Sequence, residues 1–148
     1  MKYLALLILG IGICLQQELM AQSLSKHQWK DRLLIIKTND LADSLYTKQI
    51  AALKKNLDEL EERKLVVYKV HKGKYQTDLG TKKNWTKIDS SLIRDDFKII
   101  TENFEITLIG LDGQVKLRQN TFLEPNQLFG RIDSMPMRRQ EIKNKSNQ

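Results

Sequence analysis

The apolar positions of the first half of the chain fall into two rhythms. Leu33, Leu34, Ile35 and Ile36 run without interruption between charged neighbours in "DRLLIIKTND", and such a run predicts a strand covered on both faces. From Asn39 or Asp40, either of which can cap a helix, Leu41, Leu45, Ile50, Leu53, Leu57 and Leu60 recur at helical spacing as far as Arg63. That spacing predicts one long helix with an apolar stripe. "LVVYKV", Leu65 to Val70, follows at once as a β-branched strand. Strand, helix and strand in this order predict a parallel βαβ unit.

The second half repeats the theme in a different order. Asp89 or Ser90 can cap a helix carrying Leu92, Ile93, Phe97 and Ile100 on one face, with Arg94 away from that face or along its edge. In "NFEITLIGLDGQVKLRQ", Phe104, Ile106 and Leu108 alternate with polar residues before Gly110, and Val115 and Leu117 alternate after Gly113. Alternation on both sides of Asp112-Gly113, a pair suited to the positive φ of a turn, predicts a β-hairpin. Pro125 suits the first turn of a last helix with Leu128, Phe129 and Ile132 facing inward. That helix must stop before Pro136, whose ring would collide with the carbonyl four residues back. The predicted order is βαβ, helix, β-hairpin, helix: a single α/β domain.

Two stretches depart from these patterns. Residues 69–87 carry six lysines and one aspartate, with Gly73, Tyr75, Gly80 and Trp85 interspersed, and read as a long exposed basic loop. At the start, Lys2 precedes an uncharged run from Tyr3 to Leu15, and Ala21 closes a short polar segment. This is the pattern of a secretory signal peptide over residues 1–21, which places residues 22–148 outside the cytoplasm, in the periplasm or beyond. The apolar run is too short to span a bilayer, so no transmembrane segment is expected in the mature chain. Cys14 lies within the run behind Ile13, where a lipoprotein signal carries a small residue, so lipidation is not expected.

Composition changes the picture in two ways. The net charge is +7, and a signal peptide would remove one lysine and one glutamate, leaving that balance unaltered. A basic exported protein suits an anionic polysaccharide or an acidic protein as partner, and nucleic acid is not expected. Cys14 is the only cysteine. Its removal leaves no thiol for disulfide exchange or nucleophilic attack, so a thiol-disulfide oxidoreductase is excluded from this reading.

Other chemistries lack their spacing. His27 and His71 are read as surface histidines without metal-ligand partners, and neither a metal nor a cofactor is expected. Asp58, Glu59, Glu61 and Glu62 are read as a solvated helix face with lysine partners one turn away. "IDSMPMRRQEI", Ile132 to Ile142, is the densest cluster. A new short turn begins at Pro136, with Ser134 or Met135 as its cap, and adjacent arginines cannot face one partner. One of Arg138 and Arg139 can pair with Asp133 or Glu141 as a clamp, with Met135 or Met137 filling gaps, while the other stays open to an anion.

"FEITLIGLDGQVKLR" followed by "LFGRIDSMPMRRQEI" resembles the secreted family catalogued as domain of unknown function 4174, related to domains of vertebrate sushi-repeat and coiled-coil matrix proteins. The resemblance runs from about Trp29 to Ile142. Its most specific matches are Gly110, Asp112, Gly113, Lys116, Arg118, Asp133, Met135, Pro136, Met137 and Arg138. Leu111 stands where the family usually has lysine, and Lys64 where aspartate is common. The resemblance implies a thioredoxin-like fold of unassigned activity. The turn after the first strand, "KTNDLADS", holds no cysteine, and no proline precedes the third sheet strand. The reading is a non-catalytic binding or interaction module for an anionic or protein partner, with Arg94, Arg118, Asp133, Arg138 and Arg139 as candidate binding residues. Asp112, Gly113 and Pro136 serve as turn residues. The alternative is an enzyme of unassigned reaction in which Arg94, Arg118 and Arg138 converge on an anionic substrate.

Overall fold

Strand β1 (Arg32–Thr38) is buried at all seven positions, because it lies inside a six-stranded sheet of order β4-β3-β2-β1-β5-β6. In the computed structural model, which describes residues 24–80, 84–88 and 103–147, β1 pairs in parallel with β2 (Leu65–His71) and antiparallel with β5 (Phe104–Ile109). The hairpin partner β6 (Val115–Gln119) forms one edge, and β3 (Lys74–Gln76) and β4 (Thr86–Lys87) the other. One face of β1 presents Leu34 and Ile36 to a cluster that also holds Leu53, Leu60, Ile106, Leu108, Leu128 and Ile132. The opposite face packs Leu33 and Ile35 with Tyr68, Val70 and Ile109. The two faces account for the uninterrupted apolar run.

The long helix predicted from Asn39 or Asp40 to Arg63 is instead two helices, α1 (Ser44–Lys54) and α2 (Leu57–Glu62). Asp43 caps α1, its carboxylate accepting from the Tyr46 N–H at 2.9 Å. Asp40 instead closes a turn by accepting from the Ala42 N–H. The break falls at Asn56, whose side-chain amide donates to the Ala52 carbonyl at 2.8 Å while its backbone N–H donates to Leu53. An Asn side chain that bonds the backbone in this way competes with helix continuation. Leu53 and Leu60 of the predicted stripe are buried, whereas Leu41, which precedes the start of α1, and Leu57, which follows the break, are exposed.

The basic loop over residues 69–87 is also corrected. Lys69 belongs to β2, and a hairpin turn at Lys72 and Gly73, both at positive φ, returns the chain as β3. Thr86 and Lys87 then add β4. Lysines at solvated strand edges mimic loop composition, because charged residues are also what keeps an edge from pairing with another chain.

The second hairpin forms as expected, with Gly113 at φ 76° and a bulge between Leu108 and Ile109. Helix α3 (Pro125–Asp133) starts at Pro125 and stops before Pro136, and α4 (Pro136–Ser146) restarts there as eleven residues rather than a short turn. Residues 1–23 with Cys14, and the helix predicted from Asp89 or Ser90 with Arg94, lie outside the described residues. Among the described residues, no helix is long and apolar enough to cross a membrane.

Candidate functional site

After the helix from Pro125 ends at Asp133, Pro136 starts α4 anew, and the two sides of α4 face different surroundings. On one side Arg138, 5% exposed, enters an ion network. Its Nε donates to Asp133 at 3.1 Å, Nη1 to the Glu62 carbonyl and to Glu141, and Nη2 to the Glu62 carboxylate at 3.0 Å. Arg63 grips the same Asp133 with two bonds, from Nε at 3.0 Å and Nη2 at 2.6 Å, and also reaches Glu59. The Arg63 guanidinium stacks 4.7 Å from the centre of the Phe129 ring. Arg32, at the head of β1, donates to the Arg63 carbonyl at 2.8 Å and to both Glu141 oxygens. Three buried arginines thereby tie β1, the end of α2, the end of α3 and α4 together.

The electrostatics match this geometry. The hydrogen bond from Arg138 holds the Glu62 carboxyl below its ordinary range, against a smaller effect of burial. Burial alone would raise the Asp133 carboxyl, but the bonds from Arg63 and Arg138 overcome it and leave the pKa lowered. Burial likewise disfavours the charged forms of Arg63 and Arg138, and their carboxylate partners reverse the sign, so both are raised. The pairing thus favours the charged form of each of these groups.

On the other side of the α3–α4 turn lies a groove of about 430 Å³, lined mainly by apolar atoms of Trp29, Leu111, Met135, Pro136 and Met137. Gly110, Asp112, Lys116 and Arg32 complete it. Trp29 sits at φ 65°, a left-handed backbone that L residues other than Gly, Asn and Asp seldom adopt. Its N–H donates to the Leu111 carbonyl at 2.7 Å. That bond fixes Trp29 beside the hairpin turn with its side chain 63% exposed. Gly110 leaves room for the Lys116 stem, since a Cβ there would meet Lys116 Cε at 2.6 Å. Lys116 Nζ in turn reaches the Asp112 carboxylate at 2.6 Å.

The groove therefore brings together two segments far apart in sequence, "GLDGQVK" and "MPM". Of the candidate binding residues, Asp133 and Arg138 meet in the ion network. Arg118 is half-exposed near Glu105, at 3.9 Å, and shares no carboxylate with Arg138 among the described residues. Glu105 also takes Lys37 and the Thr107 hydroxyl. Arg139 is exposed, and its side chain makes no ion pair among the described residues.

Sequence reasoning missed several participants. Arg32 and Arg63 were legible only as charges flanking elements, although Glu59 and Arg63 stand at i,i+4 spacing. The partners of the acidic run are thus chiefly arginines rather than lysines. Trp29, Leu111 and Met137 could not be read from the sequence as walls of one groove, because only the fold brings them together. His27 is not a simple surface histidine, for its Nδ1 meets Asp31 at 2.7 Å and its Nε2 the Tyr68 hydroxyl at 2.8 Å. Burial pushes that hydroxyl up to about 12. His71 contacts the Thr38 carbonyl and the Trp85 ring. Among the described residues, no group of three or more His, Cys, Asp or Glu side chains is placed to hold a metal.

Comparison with known proteins agrees with the fold. The family model described as "Domain of unknown function (DUF4174)" matches residues 23–141. Among solved structures, the chain is similar to the reduced 2-Cys peroxiredoxin of Plasmodium vivax, with a TM-score of 0.57 and 16% identity over 79% of this chain and 72% of that one. At that identity the likeness establishes a thioredoxin-like fold. Among curated proteins, none matches the sequence.

Proposed function

We propose, from the premise that the chain belongs to the family of the domain of unknown function DUF4174, that it is a non-catalytic binding module for a protein partner. Its site is the groove between the hairpin turn and the start of α4. One observation carries this reading: Trp29 is held at a strained φ by a backbone bond, yet its large side chain is left mostly in water. A residue that costs backbone energy and buries little contributes little to stability, and such strain gathers at ligand sites. Met137, 42% exposed on the same groove, extends the apolar surface, and Met side chains adapt to varied partners.

The enzyme alternative has less support. Its anion site needs open arginines, whereas Arg138 is fully engaged by Asp133, Glu62 and Glu141. Thiol chemistry would rest on Cys14 alone. Export completes the proposal: cleavage after Ala21 gives a thiol-free chain starting at Gln22, which N-terminal sequencing of the extracytoplasmic protein checks.

The binding claim is tested with displayed random peptides selected on the Trp85→Phe protein, which leaves Trp29 as the single indole. Selected peptides should shift its fluorescence and lose binding to a Met137→Asp variant. Peptides that bind both proteins equally, with no change in emission, would refute the groove as the site.

A further inference from the structure

We infer that the groove captures the C-terminal carboxylate of a partner polypeptide together with its apolar last side chain, an inference that rests on the groove being the binding site.

Three sets of donors border the groove. Helix α4 opens at the groove through Pro136 and Met137, and its N-cap residue Met135 offers no side-chain acceptor. The Met137 and Arg138 N–H groups, in the first turn of the helix, precede the first intrahelical donor, Arg139, whose N–H bonds the Met135 carbonyl at 3.0 Å. No acidic residue occupies that turn, where one would offset the positive end of the helix dipole. The second donor is independent of the helix. Arg32 lines the same groove and is fully buried, and its Nε is a buried side-chain donor that lacks an acceptor among the described residues. A buried donor of this kind is costly unless an acceptor reaches it. The third is Lys116 at the rim, one-third exposed. The acid present, Asp112, is turned to Lys116 and to the Gln114 N–H.

The apolar walls decide what kind of anion fits. Met135, Pro136 and Met137 supply wall atoms within two residues of the helix donors, so the ligand must carry its apolar group equally close to its charge. A chain terminus does so, because its last side chain and its carboxylate leave the same carbon, and backbone capture of a terminal carboxylate is an established mode of peptide recognition. A fatty acid instead carries its apolar bulk away from its carboxylate along a chain, past the walls nearest the helix donors.

The test uses the Trp85→Phe protein and the hexapeptide Gly-Gly-Ser-Gly-Leu-Phe, N-acetylated, with either a free or an amidated C-terminus; octanoate is the lipid-like arm. The free acid should bind about tenfold or more tightly than the amide, as expected for charge-assisted bonds, and more tightly than octanoate. Met135→Asp places a carboxylate at the N-cap, where it takes the same N–H groups, and should abolish the preference for the acid. Met135→Leu should keep it. Equal binding of acid and amide would overturn the carboxylate inference and leave the groove reading standing. Octanoate binding as tightly as the acid would overturn the peptide source. Failure of all three ligands to bind would overturn the inference, and the displayed-peptide selection then decides the groove separately.

Discussion

Arg138 and Met137 are neighbours in the sequence and serve opposite sides of one helix start. Behind α4, every carboxylate of the ion network meets at least one arginine. In front of it, a strained tryptophan and a methionine are left exposed, and the helix start has no side-chain cap. Groups that satisfy one another inside a protein hold the fold in place. Groups that only a second molecule can satisfy point to binding. Both regions meet at α4, which Pro136 starts anew after α3 has ended.

The largest effect expected from breaking this contrast is at Asp133. It accepts from both Arg63 and Arg138, so Asp133→Ala leaves two buried guanidinium groups short of partners. We expect a loss of about 3 kcal/mol, the low end for removing one partner of a buried pair because Glu59 and Glu62 remain. Urea unfolding measures it. Acid should weaken the same network. The folded Glu62 and Asp133 carboxyls lie below their ordinary values of 4.5 and 3.8, so their stabilisation is complete above those values and is lost as pH falls through the lower folded ones. Denaturant midpoints recorded down through that window should fall more steeply for the unaltered chain than for Asp133→Ala.

Trp29→Gly sharpens the contrast from the groove side, with a smaller effect of opposite sign. Glycine adopts φ 65° without strain, and the side chain lost was mostly exposed. Relief of left-handed strain, partly offset by the greater freedom of glycine in the unfolded chain, should raise stability by about 1 kcal/mol. Peptide binding should disappear. A variant that is less stable than the parent would place Trp29 among the groups that hold the fold.

What the sequence could reveal follows the range of the interactions. β1, β2, the β5–β6 hairpin and α3 were legible because burial imposes a short period on neighbouring residues. The single long helix was not, since its stripe of leucines continued past Asn56 while one side-chain bond to Ala52 ended the helix. The clamp was half legible: Asp133, Arg138 and Glu141 lie within one turn or two of each other, but Arg32, Arg63 and Glu62 reach them only through the fold. The groove was not legible, because its walls come from three segments joined by the Trp29 to Leu111 bond. The two positions expected to depart from the family pattern have distinct backbone roles. Lys64 turns the chain at φ 49°, a conformation that Asp tolerates better than Lys, and Leu111 is buried, with its carbonyl engaged.

The smallest effect, and the finest test of the comparison, is at Arg139. Adjacent residues on a helix point about 100° apart, so one guanidinium can be buried while the next is in water, as the two arginines are here. Arg138→Ala removes bonds to Asp133, Glu62 and Glu141 at once and should cost about 3 kcal/mol. Arg138→Lys should recover little of this, because an ammonium cannot reproduce the fork that serves three carboxylates. Arg139→Ala removes an exposed charge with no ion-pair partner among the described residues and should change stability by no more than about 0.5 kcal/mol. Melting temperatures of the three variants, measured in one buffer, decide the point. If Arg139→Ala fell as far as Arg138→Ala, the burial that separates the two arginines would not be what makes Arg138 a clamp.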